Sequence, residues 1–362
     1  MTGSTVRLRR NTQHDRFSIQ NDPVWKIVGG YMPHKTCFSE LGRIWESFMT
    51  RDNTLRADRR VTASLLGGAV AMALSSSSFA VSPVIAINNE AKAANVSVTP
   101  VRDGISVLMG SGGNVTVLRG AGGLLLIDGG IHYSKASMSK ALALISNAAP
   151  KYLVDTHYHW DHTDGNEWLH ERGAVIVAQE NTVKHLAVAT RVDDWEFTFP
   201  VSPPGAMPTV SFSTEKTLHF AGKTVALKYY GPCHTDSDIW AYFVESDVLA
   251  TGDTWWNGYY PFIDNENGGS IDGMIRAANA NIAKVTDHTV IVPGHGPVGS
   301  KKELIEYRDM LVGVRANVAA LKSSGKSRSE AVAAKPTADY DSKWGGFVID
   351  GAFFTRLVYD GL

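Results

Sequence analysis

Asp155-Thr156-His157-Tyr158-His159-Trp160-Asp161-His162 carries three histidines and a second aspartate within the six positions from His157. The apolar run Tyr152-Leu153-Val154 precedes it and reads as a buried strand, while Gly165 to Arg172 reads as the start of a helix. The cluster therefore sits where a strand ends and the chain turns towards a helix, which is where open α/β sheets bind ligands. In extended backbone, alternate side chains share a face, so His157, His159 and Asp161 are in phase and can converge on one region. His162 is out of phase; it either faces away or serves a second, neighbouring point. Imidazole and carboxylate are the ligands zinc prefers when its site is catalytic rather than structural. One histidine in a polar loop is ordinarily just hydrogen-bonded, but four metal-competent side chains behind one apolar strand point to a metal.

Working outward, Ile105–Met109 and Val115–Leu118 read as strands of a hairpin, and Gly123 to Ile127 as a buried strand ending in Asp128. Ser134 to Asn147 has the period of an amphipathic helix, with Ala141, Leu142, Leu144 and Ile145 on its inner side. Ala174–Ala178 is a further strand, and Asn181 is the expected N-cap of a helix running to Ala189. Arg191 to Pro208, with Trp195, Phe197, Phe199 and four prolines, reads as a long irregular loop, either a flap over a pocket or a packed surface segment. A hairpin about Gly222, short strands at Ile239–Val244, Val248–Ala250 and Thr289–Val292, and helices at Ser270–Ala283 and Lys301–Ser323 follow. Strands with intervening helices imply two sheets, each covered by helices, in one domain over residues 98–362.

Three later strand ends also carry metal-competent residues: His234 after Val225–Tyr230, Asp253 after Val248–Ala250, and His295 after Thr289–Val292. Each lies near glycine or proline, which lets backbone approach closely, as a ligand cage requires. With the first cluster they make seven ligands, a number that suits two metals rather than one. Cys233 is adjacent to His234 and off phase with it, so it is expected to be a buried structural thiol. His132, His170, His185, His219 and His288 fall outside the pattern. Trp255, Trp256, Tyr259, Tyr260 and Phe262 follow Asp253 closely and are either pocket wall or core, as is Trp160. The last segment, Ser327 to Leu362, either caps the site or only packs.

In this order, His157-x-His159-x-Asp161-His162, His234, Asp253 and His295 resemble the metallo-β-lactamase superfamily over roughly residues 100–300, and Asp128 matches that family's early strand-end acid. The resemblance implies an α/β fold, an αββα four-layer sandwich of two mixed sheets, with two Zn2+ per chain. It implies His157, His159 and His234 on one zinc, Asp161, His162 and His295 on the other, and Asp253 bridging them. Asp161 would be the catalytic residue, orienting a nucleophilic hydroxide and receiving its proton, and Asp128 would steer a histidine ligand. The aspartate at 253, where some lactamases carry cysteine, is shared with lactonases and with thioesterases of the glyoxalase II kind. The implied activity is therefore hydrolysis of a carboxyl-derived bond. A β-lactam or lactone is the named candidate, and the alternatives are a glyoxalase II-like thioesterase or a non-enzymatic metal-binding protein. A redox member of the same fold would carry iron instead of zinc.

The 362 residues are 44% hydrophobic and 20% charged, an ordinary globular composition. Residues 1–60 carry 11 Lys+Arg against 6 Asp+Glu and the remainder 24 against 30, so the bulk of the chain is acidic and gives no case for nucleic-acid binding. Two cysteines exclude a disulfide framework. Val61 to Ala80 contains no charged residue, follows Asp58-Arg59-Arg60, and ends in Ser78-Phe79-Ala80. That is a secretory signal of twin-arginine type rather than a membrane span. The signal is conventional if read from Met49, so residues 49–80 are expected to be the signal, and residues 1–48 to be disordered or upstream of the true start. The mature protein is then expected in the periplasm or secreted, acting on a small molecule, without membrane insertion.

Overall fold

The computed structural model describes residues 82–362. The expected signal at 49–80 and the segment 1–48 lie outside the described residues. A helix, α1 (Pro83–Ala93), comes first and is capped by the Ser82 hydroxyl. Strands β1 (Ser97–Pro100), β2 (Ile105–Met109), β3 (Val115–Gly120), β4 (Gly123–Ile127), β5 (Pro150–Val154) and β6 (Val175–Gln179) follow. The ribbon strands β7 (Thr190–Val192) and β8 (Phe197–Phe199) come next, then β9 (Val210–Phe212). The first sheet has the order β1-β2-β3-β4-β5-β6-β9, antiparallel as far as β4 and parallel beyond it. The second contains β10 (Glu215–Phe220), β11 (Lys223–Tyr229), β12 (Ile239–Phe243), β13 (Val248–Ala250) and β14 (Val290–Val292), in sequence order, with only the β13–β14 pair parallel.

The two faces of each strand explain the layers. In β4, Leu125 and Ile127 face the second sheet and pack with Val225, Leu227, Phe243 and Val248. Leu124 and Leu126 point the other way, onto Met138, Ala141 and Leu142 of α2 (Lys135–Ile145) and Leu169 beyond them. A strand buried on both faces reads as an uninterrupted apolar run, which is why Gly123–Ile127 shows no alternation. The outer face of the second sheet is covered by α6 (Ile271–Lys284), α7 (Lys301–Ser323) and α10 (Gly351–Asp360), through Met274, Leu311 and Phe354 among others. The result is the expected αββα sandwich of two mixed sheets. Truncating a side chain such as Leu125, fully buried in it, would cost about 2–5 kcal/mol.

Several local readings change. Leu144 is 80% exposed, and Met138 takes the inner place on α2 beside Ala141 and Leu142. The helix stops at Ile145, two residues before the expected Asn147. The next helix, α5 (Glu180–Leu186), is capped by Gln179, whose side chain accepts from the Asn181 N–H, so Asn181 is inside the helix rather than at its cap. The segment from Arg191 contains the β7–β8 ribbon and a helical turn at Asp193–Trp195. Trp195 is buried against Phe262 and Phe353, and Ser82 donates to its carbonyl. The hairpin about Gly222 is present; both of its turn residues, Ala221 and Gly222, have positive φ, the geometry that matches strand twist in a two-residue turn.

Candidate metal centre

All seven candidate ligands sit beyond the C-terminal ends of strands. After β5 the backbone bends at Thr156, His157 and Tyr158, and His159 (φ −60°, ψ 147°) leads into the short helix α3 (Trp160–Thr163). His157 and His159 nonetheless fall in one group, whereas Asp161, which belongs to a helical turn, does not join them. Asp161 and His162 leave that turn together for a different point. His234 follows β11, Asp253 lies in the 3-10 turn Gly252–Thr254 after β13, and His295 follows β14. These three are brought to the first cluster by the sheet-on-sheet packing, not by sequence.

Two groups result. In each, one ligand atom from every member lies within 4.8 Å of the others: His157, His159, His234 and Asp253 in one, Asp161, His162 and His295 in the other. Asp253 faces both. Its Oδ2 is 3.6 Å from His234 Nε2 and 3.3 Å from His295 Nε2, and its Oδ1 is 3.1 Å from His162 Nε2. His159 Nδ1 lies 2.9 Å from His234 Nε2, and Asp161 Oδ2 lies 3.2 Å from His295 Nε2. Every one of the seven is buried.

These residues fit a metal on their own terms. Nε2 of His157, His162 and His295 and Oδ1 of Asp253 are buried without a hydrogen-bond partner. Buried polar atoms are rarely left so, and four converging on one space are what a bound cation would satisfy. The donors are nitrogen and oxygen only. Cys233, as expected, is a buried thiol directed elsewhere; its Sγ donates to the Gly231 carbonyl, and burial raises its pKa. The backbone makes room for the cage: a Cβ on Gly113 would lie 2.3 Å from His162 Cε1, and one on Gly294 would lie 1.9 Å from Asp253 Oδ1.

The opposite nitrogens of four imidazoles are held. Asp128 accepts from His162 Nδ1 at 2.8 Å and from the Thr156 N–H at 2.7 Å. The Thr156 hydroxyl, itself bonded to Asp128, meets His157 Nδ1 at 3.0 Å. The Phe262 carbonyl accepts from His234 Nδ1 at 2.8 Å, and Asp264 takes His159 Nε2 at 3.0 Å together with the Tyr158 hydroxyl. Such contacts fix ring orientation and leave the inward nitrogens free to bind. Asp128 thus steers a histidine, as expected. Asp264 was not legible beforehand: it sits in an Asp-Asn-Glu-Asn turn, where an Asx turn explains it, and its Oδ1 does accept from the Asn267 N–H.

Burial and charge divide the histidines. Burial, with neighbouring histidines, holds His157 well below the usual imidazole range and His234 at about 4. Burial opposes protonation at His162 and His295 too, but the carboxylates of Asp253 and Asp161 outweigh it. His162 is raised well above its ordinary value and His295 to about 9. The same attraction overcomes burial at Asp161 and Asp253, whose pKa values fall. A cation entering the second group therefore displaces protons from His162 and His295.

Around the cage, Trp255 and Tyr260 are core, while Trp256 is both core and wall, its ring 4.2 Å from that of His295. The C-terminal segment packs through Trp344, Ile349 and Phe353, and brings Phe347 to 6.3 Å from the His295 ring. Trp160 stacks on Phe199. His185, outside the ligand pattern, is satisfied by Asp236 at 2.7 Å.

The family model described as Metallo-beta-lactamase superfamily matches residues 108–299. The chain belongs to the metallo-β-lactamase superfamily. The curated "Metallo-beta-lactamase type 2" of Bacillus sp. (strain 170) is 24% identical over 201 residues, covering 55% of this chain and 72% of that one. Among solved structures, a stereoselective inverting sec-alkylsulfatase from Pseudomonas sp. superposes with a TM-score of 0.56 at 18% identity, over 73% of this chain and 50% of that one. The chain thus spans half the length of that sulfatase, and the likeness is one of fold. A metallo-beta-lactamase from Pontibacter korlensis matches with a TM-score of 0.48 at 19% identity, over 60% of this chain and 99% of that one. Members of the metallo-β-lactamase superfamily are typically metal-binding hydrolases, and the paired His/Asp groups accord with that chemistry here.

Proposed function

We propose that this metallo-β-lactamase-fold protein is an exported dinuclear zinc hydrolase that opens a carboxyl-derived bond in a small molecule, a cyclic amide or ester. The observation that carries the reading is the pair of buried ligand groups with four orphaned donor atoms and one aspartate facing both. His157, His159 and His234 would hold one zinc, Asp161, His162 and His295 the other, and Asp253 would bridge them. Zinc in such a site supplies a hydroxide nucleophile at neutral pH and polarises the scissile carbonyl.

The chain's own residues account for the rest. Asp161, kept ionised by the nearby His162 and His295 despite its burial, would orient the attacking oxygen and take its proton at Oδ2. Asp128 and Asp264 hold His162 and His159 in one orientation, so the reacting groups need not reorganise. Trp256 and Phe347 lie against the His295 ring on its outer side.

The test is metal analysis of the purified protein, coupled to hydrolysis of β-lactam, lactone and glutathione thioester panels. Two zincs with lactam or lactone turnover is the expected result. Turnover confined to the thioesters would replace the substrate by that of a glyoxalase II-like enzyme, and iron or no metal would overturn the zinc reading. Export is proposed from Arg59-Arg60 and the uncharged run Val61–Ala80; N-terminal sequencing of secreted protein should begin near Val81, and an intact Met1 would refute it.

A further inference from the structure

The second ligand group draws on both sheets. Asp161 and His162 follow β5 of the first, and His295 follows β14 of the second. The geometry of a metal point shared in this way depends on how the sheets are registered, and such constellations work only when held within about 0.5 Å of the productive arrangement. The first group has direct ties between its parts. The Ile239 N–H donates to the Thr156 carbonyl at 2.9 Å, and Asp264, whose N–H donates to the His234 carbonyl at 3.0 Å, takes His159 with its carboxylate. The outer nitrogens of four ligand imidazoles are also held, but among the described residues no hydrogen-bond partner meets that of His295. Its placement has to come from the backbone that carries it.

Asn114, buried in the turn 110–114 between β2 and β3, supplies that placement. Its Nδ2 donates to the Pro293 carbonyl at 2.9 Å and to the Gly296 carbonyl at 2.9 Å, so the two contacts bracket His295 along the chain. An amide NH2 has two donors, and both are used here. The Asn114 N–H adds a third bond, to the Gly294 carbonyl at 2.7 Å. The same turn holds the other two members of the group. The Gly113 N–H donates to the Asp161 carbonyl at 3.2 Å, and the bare Cα of Gly113 faces the His162 ring. The segment after β13 holds the His295 loop as well, through the Asn257 N–H on the His295 carbonyl at 2.9 Å.

We infer that Asn114 is a positioning residue for the second metal point: it clamps the loop carrying His295 to the turn that seats Asp161 and His162, and so sets the spacing of the three ligands. Its bonds to the loop all go to backbone carbonyls, so it acts through where the loop lies and not through the electronics of the His295 ring. None of residues 110–114 lines the cavity of about 380 Å³ that opens beside His159, whose walls include Val84 of α1 and Phe197 and Phe199 of the ribbon. A change at Asn114 therefore leaves that lining intact. The inference rests on the two-metal reading for its consequence, and the clamp itself does not.

The test compares the parent with two variants. Asn114→Asp is isosteric but exchanges both amide donors for a carboxylate facing two carbonyls; Asn114→Ala removes the donors without adding charge. Asn317→Asp, which loses one amide bond of the same kind to the Pro336 carbonyl on α7, is the control. In metal-free protein, hydrogen exchange read by mass spectrometry should quicken over residues 290–299 in both Asn114 variants, and stay at the parent rate over residues 239–243 and throughout the control. Zinc titration of the stripped protein against a chromophoric chelator should show the second equivalent weakened about 10–100-fold, as for other outer contacts of metal ligands, with the first unmoved. In cobalt-loaded protein, the absorption added by the second equivalent should change and that of the first should not. Unchanged exchange over 290–299, or a second equivalent bound as tightly as in the parent, would overturn the inference. So would equal weakening of both equivalents, which marks a general loosening of the fold. A parent that takes up one equivalent, with exchange still quickened in the variants, would instead overturn the two-metal reading and support the clamp alone.

Discussion

Asp128→Asn isolates one contact in the metal centre. Asp128 Oδ1 accepts from the Thr156 N–H at 2.7 Å, and Oδ2 accepts from the Thr156 hydroxyl at 2.9 Å and from His162 Nδ1 at 2.8 Å. An asparagine keeps its oxygen on the fixed backbone N–H, which turns its NH2 towards the other two. The threonine hydroxyl can rotate and accept, and its second lone pair still serves His157 Nδ1. His162 has no such freedom. To meet the NH2 it must shift its proton to Nε2, the nitrogen directed at Asp253. Losing a buried hydrogen bond to a charged group costs about 1.5–3 kcal/mol, and outer contacts of this kind are worth about 10–100-fold in metal affinity. Zinc titration of the stripped protein against a chromophoric chelator should show the second equivalent weakened by that factor and the first unmoved. Circular dichroism would confirm that the fold is retained. An asparagine variant that binds both equivalents as tightly as the parent would refute the steering argument.

Asp161→Asn should keep the fold but lower kcat by about 10²–10⁴-fold at full zinc loading, the usual worth of a placed general base; an equally active variant would remove Asp161 from that role. Gly113→Ala would drive a methyl to 2.3 Å from His162 Cε1, whose ring Asp128 holds in place, so about 1–3 kcal/mol of thermal stability and part of the zinc content should be lost together. Unchanged zinc stoichiometry by elemental analysis would contradict the cradle. Metal-free protein should melt at the highest temperature near pH 6.5. Above it, the stabilisation of protonated His162 and His295, complete below the unfolded value of about 6.5, is lost as pH rises through their raised values, about 9 for His295. Below it, His157 and His234, held neutral by burial, penalise the fold as the unfolded chain takes up protons. A melting temperature that climbs steadily from pH 6.5 to 9.5 would contradict this sign.

The strand ends were legible because local chemistry marks them: an apolar run, then an acid or histidine beside glycine or proline. That was enough to find all seven residues that the fold gathers into two groups. Strand phase was only half informative. It pairs His157 with His159, which do share a group, and fails at Asp161, since nothing in Trp160-Asp161-His162-Thr163 announces a helical turn. Asp264 was hidden because its turn role satisfies the sequence pattern completely, and its grip on His159 spans 105 residues. Leu144 misled for a related reason: helical period shows which residues share a face but not how wide the covered strip is, and α2 buries only a narrow one. The β7–β8 ribbon was masked by the prolines around it, whose turn signals outweigh two three-residue strands.

The cage and the cavity beside it are made from separate stretches of chain. Ligands hang from the ends of strands locked between two apolar layers, where a shift of one residue would disturb the whole core. The cavity's outer walls come from α1 and from a two-stranded ribbon outside both main sheets. Of the seven ligands, only His159 also lines the cavity. In engineering terms, the ligand cage and the wall beside it can be altered separately. A change in the ribbon or in α1 leaves the strand ends that carry the ligands where they are.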